Sequence, residues 1–223
     1  MKLFVGVPAY DRRITVETAR ALLEEQGAAA LAGRRARLAL QIAFAPGSSL
    51  VTTARDILAR DFLATEAERL IFVDSDVAWE AGQLLALARH DVDIVGGAYR
   101  LKQESEAYPV EWLDRPLLRA DPLTGLLEVS ALPGGFLSIS RNVFERLRAA
   151  HPERAYTHQG EALHAFFHCP YGGGEDGAFC ADWRAAGGQI FLDPELTLTH
   201  VDGGRRFTGC IGDWLRRRMS RAD

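Results

Sequence analysis

"LIFVDSDVAW" (residues 70–79) decides the fold. Four apolar residues run into Asp74, Ser75 and Asp76, and the chain turns apolar again at once. An unbroken apolar run that ends in a polar turn reads as a strand buried on both faces, as in the centre of a parallel sheet. Ligands of open parallel sheets bind beyond the carboxyl ends of the strands, and Asp74 and Asp76 stand at such an end. Side chains two apart on extended backbone point the same way. Two carboxylates so placed repel, and a divalent cation, Mg2+ or Mn2+, relieves that and can carry a phosphate. A polar turn with one aspartate capping a helix near residue 80 satisfies the same stretch, so the pair alone leaves both readings open.

Outward from this stretch, strand and helix alternate. "KLFVGVPA" (2–9), "LALQIAFA" (38–45), "RLIFVD" (69–74) and "VDIVGGAY" (92–99) read as strands. Between them, 15–32, 50–64 and 80–90 have helical composition or spacing, with Ser48 or Ser49 placed to cap the second. This order implies a mainly parallel sheet with helices on both faces. The pattern then changes. "YPVEWL" (108–113) and "LLEVSAL" (126–132) read as strands, a small antiparallel elaboration, and 134–150 as a strand followed by a helix. The stretch 172–188 is a Gly-rich loop feeding a helix, followed by late strands in "IFLDPE" and "LTLTHV" and a basic tail helix.

The chain has 223 residues and a net charge of −4, with a pI near 5.9. That length suits one domain spanning 1–223. The charge gives no general attraction to nucleic acid or anionic membranes. Cys169, Cys180 and Cys210 form no spacing motif and read as reduced thiols. No apolar run reaches the ~20 residues of a membrane span, and the start, broken early by Pro8, does not read as a signal peptide. A cytoplasmic protein is the expectation.

Two further constellations carry chemistry. In "GEDGAFCADW", Glu175 and Asp176 open a helix after glycines; acidic residues there complement the helix dipole, or one serves as a general base. In "LTLTHVDGGRRF", His200 ends a strand before Gly203, Gly204, Arg205 and Arg206, which suits a metal and diphosphate site, although a lone histidine is more often structural. His164 and His168 lie four apart, as on one helix face, and with Cys169 are a weak zinc candidate that lacks a second ligand pair. Arg55, Lys102, Arg205 and Arg206 are candidates for phosphate or sugar contacts or, for at least half of them, solvated surface charges. Trp112, Tyr99 and Phe136 are either stacking platforms or core.

In this order the segments resemble glycosyltransferases of the GT-A fold, close to family two, over most of the chain. "VGVPAYD" is similar to the opening strand that meets the nucleotide, which implicates Pro8 and Tyr10. "SSLVTTARD" is similar to a segment ending Ala-Arg-Asn, with Asp56 in place of Asn. "FVDSD" resembles the D-x-D motif, and "GGAYRLK" a Gly-Gly-x-Tyr-Pro-x-Lys segment with Arg100 in place of Pro. "GGFLSISRNVFERL" resembles the Gly-rich strand and helix on the acceptor side, and the block 174–201 the Glu-Asp helix and late metal-binding histidine. Haloacid-dehalogenase-type phosphatases also place paired aspartates after a strand, but normally the first strand and with a Thr where Ala78 stands.

The resemblance implies a metal-dependent transfer from a nucleotide-sugar donor, with a UDP-sugar favoured, to an acceptor hydroxyl. Asp76 and His200 would hold Mn2+ or Mg2+, with Asp74 close by on the ribose or through water. Ser75, Arg55, Arg205 and Arg206 would meet the donor. Asp176, with Glu175 second, would be the base of an inverting reaction. Gly134, Gly135 and Trp112 would line the acceptor site. The acceptor remains open among a glycan, a lipid-linked sugar, a protein and a modified nucleic-acid base, and the arginines of "WLRRRMSR" (214–221) offer a weak surface contact. The alternatives are a nucleotidyltransferase acting on sugar phosphates, for which "PAYDRR" lacks the expected glycines, and a degenerate nucleotide-sugar binding module.

Overall fold

The central strands are apolar on both sides because two cores compete for them. Leu3, Val5, Val7, Ile71 and Val73 enter one core, while Phe4, Leu70 and Phe72 enter the other, the alternation that a pleated strand imposes. The structure, a computed structural model, describes residues 1–36, 38–115 and 117–220. In chain order these form β1 (Lys2–Ala9), α1 (Val16–Ala36), β2 (Ala39–Pro46), α2 (Val51–Leu63), β3 (Arg69–Val73), β4 (Val77–Trp79), α3 (Gln83–Leu87) and β5 (Ile94–Gly96). There follow β6 (Leu127–Val129), β7 (Phe136–Ser140), α4 (Arg141–Ala150), β8 (Ala155–His158) and β9 (Glu161–His164). The chain continues through α5 (Glu175–Ala185), β10 (Ile190–Leu192), β11 (Thr197–Asp202), β12 (Arg205–Cys210) and α6 (Ile211–Met219).

The main sheet has the order β2-β1-β3-β7-β5-β10-β6. β2, β1, β3, β5 and β10 share one direction, and β7 and β6 run against them. The mainly parallel sheet is thus present. One face is covered by α1 and α3 through Ala21, Leu22, Ala29, Leu84 and Leu87. The other is covered by α2, α4 and α5 through Leu58, Phe62, Phe144, Phe179 and Trp183. Edge-to-face contacts Phe4–Phe62 and Phe72–Phe167 tie strands to that layer at ring centroid distances of 6.0 and 5.3 Å.

The antiparallel elaboration is present but built from other segments than expected. It is the three-stranded sheet β12-β11-β4 together with the separate hairpin β8-β9. Residues 108–113 form no strand and contribute one bridge, Glu111 to Ala131; Pro109 has no N–H to offer a ladder. The helix expected over 80–90 shrinks to α3. Neither Ser48 nor Ser49 caps α2, whose N-cap is Leu50 without a side-chain bond; the Ser48 hydroxyl donates instead to the Leu50 carbonyl at 2.8 Å. Arg205 and Arg206 begin β12 rather than occupying a loop, because Gly203 and Gly204, both at positive φ, close a two-residue turn between β11 and β12. His164 ends β9 and His168 follows it in irregular chain, so they share no helix face. Among the described residues no helix is long and apolar enough to cross a membrane. Arg221 of the basic tail lies outside the described residues.

Candidate functional site

Asp74, Ser75 and Asp76 sit where the chain leaves one sheet for another. The Asp74 N–H donates to the Gly135 carbonyl at 3.0 Å, prolonging the β3–β7 ladder. Two residues later the Asp76 carbonyl accepts the Val201 N–H at 2.8 Å and begins the pairing of β4 with β11. Each aspartate backbone is therefore fixed by a different sheet, and His200 arrives opposite Val77 by the register of β11.

Arg55, projecting from α2, is 2% exposed and lies among three carboxylates. Its Nη1 donates to Asp176 and lies 3.4 Å from Glu175, and its Nη2 lies 3.3 Å from Asp74. Phe72 and Phe167 face the guanidinium at 5.7 and 5.6 Å. Arg55 Nε, buried, has no protein partner. Glu175 and Asp176 open α5, where the helix dipole favours them, and Arg55 fixes them against the sheet end. Gly134 and Gly135 are small because the site requires it. A Cβ on Gly134 would overlap Arg55 Nη1 and Asp176 Oδ1, and one on Gly135 would overlap Asp74 Oδ2.

Asp76 has a separate set of partners. Lys102 Nζ donates to its Oδ2 at 2.6 Å, and His200 Nε2 lies 3.6 Å from its Oδ1. Burial pushes the Asp76 carboxyl up, but His200 and Lys102 together hold it below the usual range. His200 Nδ1 lies 3.0 Å from the Arg100 carbonyl. A carbonyl only accepts, so Nδ1 carries a proton, and Nε2 is the ring nitrogen turned toward Asp76. Tyr99 packs edge-on against the His200 ring at 4.7 Å and donates its hydroxyl to Asp74 Oδ2 at 3.3 Å. Burial, then the Asp74 charge, push the Tyr99 hydroxyl well above its ordinary value, so it remains a donor.

An imidazole nitrogen and a carboxylate oxygen facing each other at 3.6 Å are donor types that a divalent ion can share, so Asp76 and His200 fit such an ion as a two-residue donor set. Among the described residues no cluster of three or more His, Cys, Asp or Glu side chains is placed to hold a metal, so further ligands would have to come from a bound molecule and water. His164, His168 and Cys169 form no such cluster either. Cys169 instead lies against Glu175, its Sγ 3.9 Å from Oε2.

A cavity of about 270 Å³ collects Pro8, Tyr10, Arg55, Asp74, Ser75, Asp76, Glu175 and Asp176, all named by the sequence, together with Ser48, Val51 and Ala54. A larger hollow of about 540 Å³ beside Leu63, Leu163 and Phe166 has no facing carboxylate pair. Other expected residues lie elsewhere. Arg205 and Arg206 are exposed and paired with Glu104 and Glu17, and neither lines the cavity. Trp112 packs half-buried against the core. The sequence reading missed that Tyr99 serves Asp74, although a tyrosine just beyond a buried strand was a usable signal. It could not have found the Arg100 carbonyl, because a backbone atom leaves no mark in residue type.

No family model and no curated protein matches this sequence. Solved structures do match in fold. The A197 protein from STIV superposes with a TM-score of 0.62 at 18% identity, over 93% of this chain and 90% of that one. The catalytic domain of Drosophila β1,4-galactosyltransferase 7, in complex with xylobiose, gives a TM-score of 0.51 at 14% identity, over 97% of this chain and 79% of that one. With its mainly parallel sheet, its helices on both faces and its small second sheet, the chain has the GT-A fold of glycosyltransferases.

Proposed function

We propose that this protein is a divalent-metal-dependent glycosyltransferase that moves a sugar from a nucleoside-diphosphate sugar, with UDP as the favoured nucleotide, to an acceptor hydroxyl with inversion. One observation carries the reading. A single cavity at the carboxyl ends of β1 and β3 holds Asp74 and Asp76 on one side and Glu175 and Asp176 on the other. The Drosophila protein of the same fold is a galactosyltransferase, which supports the class of reaction.

The chemistry divides between the two carboxylate pairs. Departure of a nucleoside diphosphate builds negative charge on the leaving oxygens. A divalent ion held by Asp76 and His200, when bound, would neutralise that charge as a Lewis acid. Asp74, held by Tyr99 and Arg55, is placed for the ribose hydroxyls or a water, and Ser75 and Arg55 for polar groups of the donor. Tyr10, 71% exposed at the cavity rim, offers a ring face to the nucleotide base. Asp176 accepts the acceptor's proton as its oxygen attacks, and Arg55 holds that carboxylate in one orientation. Gly134 and Gly135 keep the backbone low beside Asp176 and Asp74, leaving room for an acceptor.

Thermal unfolding with UDP, GDP and other nucleoside diphosphates, each with and without Mn2+, tests the reading. A ligand at 100 times its Kd adds about 2.7 kcal/mol, a rise in midpoint of roughly 5–11 °C for a domain of this size. The rise should require Mn2+, favour one nucleotide and vanish in Asp76→Ala. A folded protein that gives no rise with any nucleotide would overturn it.

A further inference from the structure

One cation already sits on Asp76. Of the 26 Lys and Arg side chains, only Lys2 and Lys102 are lysines. Lys2 lies at the chain start and pairs with Glu66. Lys102 is therefore a lysine in a sequence that uses arginine at almost every other basic position, and its ammonium sits on Asp76 at 2.6 Å. The two kinds of cation differ chemically. A guanidinium clamps a carboxylate with a rigid fork, whereas an ammonium is a compact, strongly hydrated point charge on a flexible stem that changes partner easily. Lys102 and Asp76 are about one-third exposed, at 32% and 29%, so water can reach the ammonium when it lets go.

We propose that Lys102 is a displaceable internal counter-ion of the metal position: its ammonium neutralises Asp76 while the position is empty, and is released to pair with phosphate when a divalent ion takes Asp76. This rests on the reading of the cavity given above. The surroundings favour release rather than a fixed ion pair. Asp76 Oδ1 faces His200 Nε2 and only Oδ2 is held by Lys102, so both groups that fit a metal stay aligned when the lysine leaves. The backbone on which Lys102 sits is anchored independently. The Leu101 N–H donates to the Ala107 carbonyl at 2.9 Å, and the Arg100 carbonyl meets His200. Movement is thereby confined to the Lys102 side chain. Neutralisation by a resident ammonium also keeps Asp76 from repelling the diphosphate of a donor that arrives before the metal.

The test is Mn2+ binding, read from the EPR signal of the free ion, for the wild-type chain, Lys102→Met and Lys102→Arg, each without nucleotide and again with UDP. Without nucleotide, Lys102→Met should bind Mn2+ roughly two- to fivefold more tightly than wild type, the range expected when a partly exposed ion pair no longer competes. Lys102→Arg should bind no more tightly than wild type. At saturating Mn2+ the order reverses for UDP, with Lys102→Met the weaker binder. Equal or weaker Mn2+ binding by Lys102→Met overturns the proposal while leaving the metal site standing. Absence of Mn2+ binding in all three proteins, with and without UDP, overturns the cavity reading and this proposal together. Reductive 13C-methylation gives a second measurement, because the chain has two lysines and one α-amino group. The Lys102 signal should move on adding Mg2+ while that of Lys2 stays, and an unmoved Lys102 signal in a protein that binds the metal would refute displacement.

Discussion

Asp56→Asn should stabilise this protein by an amount that grows as pH rises from about 4 to about 7 and then levels off. Asp56 neighbours Arg55 on α2 but points away from the cavity and pins the chain around the β8–β9 hairpin. It is 2% exposed. Its Oδ1 accepts the N–H groups of Phe166 and Phe167 at 3.0 and 3.1 Å, and its Oδ2 accepts the Tyr156 hydroxyl at 2.9 Å. Burial pushes its carboxyl from 3.8 up to about 7, against the pull of those three bonds. For an acid this shift is unfavourable to the folded chain once ionised. Below the unfolded value both states hold the proton. Between the two values the unfolded chain has lost it first, so stability falls with rising pH, and above the folded value the whole penalty is present. A shift of about three units corresponds to ~4 kcal/mol. Asparagine keeps the Oδ1 acceptor and offers an amide hydrogen to the Tyr156 oxygen, so the contacts survive without a charge. Urea unfolding of both proteins from pH 4 to pH 8.5 isolates the effect, since all other groups cancel in the difference. The curves should meet near pH 4 and separate to ~2–4 kcal/mol in favour of Asn by pH 8.5. A difference that stays constant with pH would refute the reasoning.

The remaining predictions concern the cavity. Asp176→Asn should lower turnover by ~10²–10⁴-fold while keeping the Mn2+-dependent thermal rise with nucleotide, measured by release of nucleoside diphosphate; loss of that rise would mean Asp176 belongs to donor binding. Gly134→Ala should lower the melting midpoint by several degrees, of the order that ~1–2 kcal/mol produces, and depress turnover with it, because the new methyl displaces Arg55 from Asp176. Wild-type midpoint and turnover in that variant would show that the buried ion cluster tolerates disruption.

Much of this was legible because apolar runs are local. β1, β2, β3, α2, α4 and α5 appear within a residue or two of where the pattern put them, since a strand buried on both faces or an amphipathic helix declares itself in its own residues. The second sheet was not read because β4 is three residues long and defined by β11, which lies far along the chain. The two unread hairpins did leave signals: Gln159-Gly160 and Gly203-Gly204 are two-residue turns at positive φ, and short loops of that composition mark paired strands. In the cavity, the sequence named the carboxylates, because acidic groups at strand and helix ends are conspicuous, and Arg55 through the segment "SSLVTTARD" that carries the resemblance. It placed Arg205 and Arg206 by their glycine neighbours. Their partners Glu17 and Glu104, which draw them away from the cavity, are remote in sequence and visible only in three dimensions.

One short segment organises the cation site. Tyr99 bonds to Asp74, the Arg100 carbonyl to His200 and Lys102 to Asp76. Three groups from two distant parts of the chain, 74–76 and 200, thus meet neighbouring residues of one segment. The first two contacts share one stretch of backbone, so a backbone displacement at 99–100 unfastens Asp74 and His200 together, whereas the Lys102 side chain can leave Asp76 by itself. Substitutions that shift the backbone at 99–100 should cost both contacts together, and a designer altering this protein's donor preference would do best to leave those two residues untouched and work from the opposite wall of the cavity.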